Sequence, residues 1–264
     1  MQKVRIVLKV GTSNLCNGEE IDKGQILNLA QIISELKVRF DVILVSSGAM
    51  ASGYTKLQIP RDCVQNRQAL ASIGQPLLME SYRVALEQCN ILSAQLLLTG
   101  GDFDSRKSTH FARNTIDVLL AHNVLPIINE NDATATSELI FGDNDRLSAH
   151  VAHYFDAKLL VILSDIDGYF DKNPHQYPDA KILPIVHSIS ESALQESHTP
   201  HSHFATGGIV TKLMAADFLL KRNGMMFLSH GRKLDILRDL LLHGLQRSGT
   251  LFCPLDSRGL KALV

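Results

Sequence analysis

Four short polar clusters hold the residues best suited to chemistry: Lys9-Val10-Gly11-Thr12-Ser13, Ser46-Ser47-Gly48-Ala49, Asn129-Glu130-Asn131-Asp132 and Gly142-Asp143-Asn144-Asp145. Lys9 offers a fixed positive charge directly after an apolar run, and Lys212 lies little more than one turn beyond Gly207-Gly208. Two lysines bracketing a phosphoryl group suit phosphoryl transfer, which asks a protein for positioned charge and little covalent work. Thr206 is expected to cap a helix beginning at Gly207-Gly208, whose unpaired N–H groups form a ready anion site. Asp132, Asp143 and Asp145 are unfavourable beside an anion unless they hold ammonium groups, either the lysines or the amine of an amino-acid substrate. Asn129, Asn131 and Asn144 add neutral donors and acceptors. Each cluster alone reads as a plain turn, and their joint placement at strand ends is what argues for a site.

Other chemistries lack their signatures. The chain has no G-x-x-x-x-G-K-[ST] loop and no G-x-G-x-x-G fingerprint, so another arrangement must hold any phosphate. Ser47 has no Gly-x-Ser-x-Gly context and reads as a binding serine rather than a nucleophile. His198, His201 and His203 sit in a polar loop beside Pro200 and are expected to be solvated, so no metal site is assigned. Cys16, Cys63, Cys89 and Cys253 are scattered without a Cys-x-x-Cys pair, which favours reduced thiols in packing roles.

The elements that must position these clusters follow from periodicity. Val4–Leu8, Val42–Val45 and Val124–Ile128 are β-branched-rich runs of strand length, and near-continuous apolar strands imply a parallel sheet buried on both faces. Ligands of open parallel sheets sit outside the carboxyl ends of the strands, where the clusters fall. Further strands are expected at Ile91–Thr99, Lys158–Ser164, Gly224–Leu228 and Gly249–Phe252. Helical faces run through Ile26, Leu29, Ile33 and Leu36, through Leu147, Val151 and Phe155, and through Ile209, Leu213, Ala216 and Leu220. The pattern is a βαβ series with helices on both faces of the sheet. Residues Asp62 to Gln88 read as one long or two broken helices, interrupted near Gly74-Gln75-Pro76. The stretches Gly168–Pro184 and Glu196–Ala205 read as loops.

At 264 residues, 45% hydrophobic and 20% charged, residues 1–264 are expected to form a single domain. A net charge of -1 gives no reason to expect a nucleic-acid or membrane partner, so small molecules are the natural ligands. No apolar stretch approaches a membrane span and the N-terminus enters a strand at once, which points to a cytoplasmic protein.

These residues resemble the amino acid kinase family, and within it the members that phosphorylate the side-chain carboxylate of L-glutamate. The resemblance spans nearly the whole chain. It is carried by Lys9-Val10-Gly11-Thr12-Ser13, Ser46-Ser47-Gly48-Ala49, Ser72-Ile73-Gly74-Gln75, Ile128-Asn129-Glu130-Asn131-Asp132-Ala133, Gly142-Asp143-Asn144-Asp145 with Leu147-Ser148-Ala149, Ser164-Asp165-Ile166-Asp167-Gly168-Tyr169, and Thr206-Gly207-Gly208 to Lys212. It implies a three-layer α/β/α sandwich around a mostly parallel sheet. It also implies ATP, magnesium and L-glutamate, with L-glutamyl 5-phosphate and ADP as products, at the first step of proline biosynthesis. By the same resemblance Lys9 and Lys212 contact the transferred phosphoryl group, and Asp145 holds the lysines and substrate in place. Ser47, Asp132 and Asn144 bind glutamate, with Asn129 nearby. Lys9, Ser164, Asp165, Thr206, Gly207, Gly208, Ile209, Val210, Thr211 and Lys212 line the nucleotide site. Proline as a feedback inhibitor and assembly into a homo-oligomer, a dimer or tetramer, belong to the same set of expectations.

Three positions depart from the family pattern: Ala205 where glycine precedes Thr-Gly-Gly, Gly100 where arginine follows the Leu-Leu-Thr strand, and Phe111 where asparagine precedes Ala-Arg. They bear on loop geometry, subunit contacts and feedback control, and none removes a residue assigned to chemistry. Many bacterial members carry a C-terminal PUA domain, whereas this chain resembles a short form without one. Two other classes compete. A non-catalytic sensor on the same fold is disfavoured by the retention of Lys9, Lys212 and Asp145, and a nucleoside monophosphate kinase would want a basic acceptor pocket where this chain has Ser47, Asp132 and Asn144.

Overall fold

The apolar runs become strands and the 3.6-periodic stretches become helices. The structure, a computed structural model, describes residues 3–18, 20–135, 144–174, 176–195 and 208–255. The first part of the chain gives β1 (Val4–Val10), α1 (Thr12–Leu15), the short pair β2 (Cys16–Asn17) and β3 (Glu20–Ile21), α2 (Lys23–Lys37), β4 (Phe40–Ser46) and α3 (Ala49–Tyr54). Then come α4 (Val64–Glu87), β5 (Ser93–Leu98), α5 (Gly100–Asp104), α6 (Arg106–Ala121), β6 (Leu125–Glu130), α7 (Asn144–Tyr154) and β7 (Leu159–Ser164). The last part holds β8 (Ile185–Val186), α8 (Glu191–Gln195), α9 (Ile209–Leu220), β9 (Met226–His230), α10 (Leu234–His243) and β10 (Thr250–Phe252).

Among the described residues the main sheet has the strand order β5-β6-β4-β1-β7-β9-β10-β8. All neighbours are parallel except β9 and β10. Successive side chains of a strand point to opposite faces. Ile6, Leu8 and Val10 of β1 therefore enter one apolar cluster with α2, α4 and α10, while Val7 enters the other with α6, α7 and α9. Both faces are covered, and every residue of β6 and β7 is buried. The architecture is the three-layer α/β/α sandwich with a mostly parallel sheet that the sequence predicts. No helix among the described residues is long and apolar enough to cross a membrane.

Of the two readings of residues Asp62 to Gln88 the single long helix holds and the interruption near Gly74-Gln75-Pro76 is corrected: α4 runs unbroken from Val64 to Glu87, with Pro76 inside it. Proline in a helix interior forfeits a hydrogen bond and costs about 3 kcal/mol. Leu70, Leu78, Tyr82 and Leu86 are fully buried on the same helix, and each such side chain contributes about 1.5–3 kcal/mol, so packing outweighs the local penalty. Glycine strengthens that packing. A Cβ on Gly74 would lie 1.7 Å from the Ala49 carbonyl oxygen, and one on Gly53 would lie 1.9 Å from that of Leu70. The backbones of α3 and α4 thus touch where neither residue carries a side chain.

Candidate functional site

The parallel register brings the ends of β6, β4, β1 and β7 to one edge of the sheet. Lys9 stands opposite Val45 of β4 and Ile162 of β7, near the middle of that edge. The first turns of α7 and α9 supply the remaining groups. Lys9 Nζ lies 2.5 Å from Asp145 Oδ1, and Lys212 Nζ lies 3.1 Å from Asp145 Oδ2. Lys9 is 3% exposed, Asp145 0% and Lys212 5%, so the ion pairs sit in a medium where solvent screens them little. The Thr211 hydroxyl reaches the same Asp145 Oδ2 at 3.0 Å and the Gly208 carbonyl at 2.9 Å.

Next to this triad, Asn144 anchors a chain of amides. Its Nδ2 donates to the Ser46 carbonyl at 2.8 Å, to Ser47 Oγ at 3.0 Å and to Asn129 Oδ1 at 2.8 Å. Asn129 Oδ1 also accepts from the Glu130 backbone N–H at 2.9 Å, and Asn129 Nδ2 donates to Gln75 Oε1 at 2.9 Å. Ser47 is placed by its own N–H, which donates to the Val10 carbonyl at 3.1 Å. The turn after it needs Gly48, whose φ of 103° lies in the left-handed region that favours glycine. Asp132 sits in the turn just past β6, where burial pushes its carboxyl up to about 6. A nearby ammonium group would reverse that shift.

The sequence-derived candidates therefore fall into two adjoining groups. Lys9, Asp145 and Lys212 meet directly, and Ser47, Asn129 and Asn144 form one hydrogen-bonded unit beside them. Ser164 ends β7 and donates to Asp165 Oδ1 at 2.9 Å, on the other flank of β1. Asp143, Thr206 and Gly207, with His198, His201, His203 and Ala205, lie outside the described residues. The expected Thr206 cap is corrected: the N-cap of α9 is Gly208, extended at φ -84° and ψ -171°, and Ile209 is the first helical residue. Ile209, Val210 and Thr211 form the first turn ahead of Lys212.

Two roles escape sequence reasoning. Thr211 was expected only as part of the nucleotide lining, yet its hydroxyl holds Asp145. Gln75 carried no role, because Gly-Gln-Pro reads locally as a break rather than as an amide aimed at a site. The four cysteines are free thiols. Burial and the Asp22 carboxylate push the Cys16 thiol up to about 11, in keeping with a packing role. A separate cleft of about 1140 Å3 opens at the opposite edge of the sheet, lined by residues such as Lys3, Arg5, Lys37 and Lys158. There Lys37 Nζ donates to the Asn123 carbonyl and Lys3 Nζ to the Lys37 carbonyl, so these ammonium groups serve the ends of α6 and α2.

Comparison with known proteins gives the family and the fold. A model of the amino acid kinase family matches residues 4–227. The chain is 74% identical to the glutamate 5-kinase of Helicobacter hepaticus over 264 residues, covering all of both chains. It is 57% identical to that of Wolinella succinogenes over 253 residues, 94% of this chain and 97% of the relative. Among solved structures, the UMP kinase of Ureaplasma parvum superposes with a TM-score of 0.66 at 17% identity, covering 96% of this chain and all of the other, which shows a shared fold.

Proposed function

Because the chain belongs to the amino acid kinase family, we propose from the geometry of its site that it transfers the γ-phosphoryl group of ATP to the γ-carboxylate of L-glutamate, as a glutamate 5-kinase at the first step of proline biosynthesis. The observation that carries this reading is the pairing of Lys9 and Lys212 on the two oxygens of buried Asp145, directly beside Asn144 and its amide chain.

In this reading Lys9 and Lys212 engage the phosphoryl oxygens as charge moves from the leaving ADP to the attacking carboxylate, and Asp145 fixes both ammonium groups in place. Ser47, Asp132 and Asn144 hold glutamate, with Asn129 behind Asn144. Asp132 faces the substrate ammonium, which draws its carboxyl back to the ionised form. Ser164, Asp165 and Thr206 to Lys212 line the nucleotide side. The attacking group is the substrate's own carboxylate, with a pKa of about 4.3, so it arrives ionised at neutral pH and needs no general base. The residues gathered at the site are accordingly lysines, carboxylates, amides and hydroxyls, and their work is alignment and charge neutralisation.

Among the described residues no three His, Cys, Asp or Glu side chains come together as a metal cage. Magnesium would be held mainly by nucleotide phosphates and water, where it would offset phosphate charge. We extend the same reading to a cytoplasmic homo-oligomer inhibited by proline. The test is an ADP-release assay with glutamate, aspartate, acetylglutamate and uridylate as acceptors. Glutamate alone should support rapid release, and equal or faster turnover of any other acceptor would overturn the assignment.

A further inference from the structure

Asn144 and Asn129 present an ordered set of amide dipoles, and two backbone groups fix which way they point. The Ser46 carbonyl can only accept, so the end of Asn144 that faces it must be Nδ2. The Glu130 backbone N–H can only donate, so the end of Asn129 that faces it must be Oδ1. Nδ2 of Asn144 shares its two protons among Ser46 O, Ser47 Oγ and Asn129 Oδ1. The remaining end of the Asn144 side chain is Oδ1, an acceptor.

The far end of Asn129 is held by one side chain. Its Nδ2 donates to Gln75 Oε1 at 2.9 Å, and Gln75 Nε2 donates in turn to Gln95 Oε1 at 3.0 Å on the edge strand β5. Gln75 is buried inside α4, immediately before Pro76, at the point where Gly74 lets that helix touch α3. The helix therefore fixes the glutamine backbone, and Asn129 Nδ2, which can only donate, fixes which end of its amide faces the site.

We propose that Gln75 is a positioning residue for the acceptor substrate: it clamps Asn129, and through Asn129 holds Asn144 Oδ1 as an acceptor for the substrate's ammonium group. The role rests on the reading above that Asn144 lies on the glutamate side. It also makes the Gly-Gln-Pro segment part of the site, reached through two intervening amides rather than by contact with substrate.

The experiment is steady-state kinetics of Gln75→Met and Gln75→Glu, varying glutamate and ATP in turn, alongside thermal unfolding. Gln75→Met fills similar volume but leaves Asn129 Nδ2 without its acceptor, and the glutamate KM should rise by roughly tenfold, the scale of one lost buried hydrogen bond. The ATP KM should stay within about twofold. Gln75→Glu keeps an oxygen facing Asn129 while Gln95 can turn its Nε2 toward the second oxygen, so it should restore most of the glutamate affinity. Should the methionine not be accommodated, Gln75→Ala reads the same loss. Parallel rises in both KM values, an unchanged glutamate KM, or a glutamate variant no better than methionine would each overturn the role. A parent enzyme that releases no ADP with glutamate would instead overturn the function, which keeps the two failures apart.

Discussion

Lys9 and Lys212 hold opposite oxygens of a single fully buried carboxylate, that of Asp145, at 2.5 and 3.1 Å. One carboxylate thus sets the separation of two ammonium groups that come from a strand and a helix far apart in the chain.

Replacing either lysine should therefore act on rate. Lys9→Ala and Lys212→Ala are each expected to lower kcat by on the order of 10² to 10³, the scale for one preorganised charge partner of a transition state. Asp145 keeps the other lysine in both variants. Asp145→Ala should differ, because it strands two buried ammonium groups and costs stability by roughly 3–5 kcal/mol. Urea unfolding beside kcat measurements checks the contrast, and near-parental turnover in either lysine variant would remove its role.

Asp132→Ala and Asn144→Ala should raise the glutamate KM far more than the ATP KM, since both residues belong to the group on the β6 and β4 side of Lys9. Initial rates with each substrate varied in turn decide the matter. An equal loss of ATP affinity would place these residues in the wrong half of the site.

Asp132 also makes a pH prediction. Burial pushes its carboxyl up to about 6 in the folded protein, above the ordinary value of about 3.9. The native state thus binds the extra proton between those values, and the cost of ionising Asp132 grows as pH rises through that window and is complete above 6. Asp132→Asn should therefore be more stable than the parent at pH 7.5, by on the order of 2 kcal/mol, and no more stable at pH 3. The glutamate KM of the parent should climb as pH falls through 6, while that of Asp132→Asn, already high, should stay flat. Denaturant midpoints at two pH values and a KM profile test both signs.

The contact between α3 and α4 predicts that Gly53→Ala and Gly74→Ala are poorly tolerated, because the added Cβ would fall under 2 Å from a carbonyl oxygen. A loss of about 1–3 kcal/mol or more is expected, as for other overpacked sites. Calorimetry of each variant reads this directly, and an unchanged unfolding midpoint would show that the helices can part.

Much of this site was legible before folding because polar residues right after β-branched runs mark strand ends, and a parallel sheet gathers those ends at one edge. That is how Lys9, Ser47 and Asn129 could be named from sequence, whereas the strand end expected at Asp145 is corrected, since it stands in the first turn of α7. Pro76 misled, since its local penalty is visible in the sequence while the glycine-mediated contact that overrides it is not. The α9 cap moved from Thr206 to Gly208 because an extended glycine can end the loop without a side-chain bond. Thr211 and Gln75 act through other side chains, and nothing in residue type or spacing announces a partner brought close only by the tertiary fold.

The central place of β1 has a bearing on how the chain acquires activity. Its neighbours are β4 and β7, and the partner of its Lys9 is Asp145 of α7, whose other oxygen accepts from Lys212 of α9. Pairings so distant in sequence form slowly, since long loops must close before any contact rewards them. On a ribosome, β1 waits with one edge open until β7 has been made, and the lysine–aspartate–lysine cluster stays incomplete until α9 follows. A refolding chain should thus regain its helical signal well before its first turnover, so that activity marks the end of folding rather than its progress.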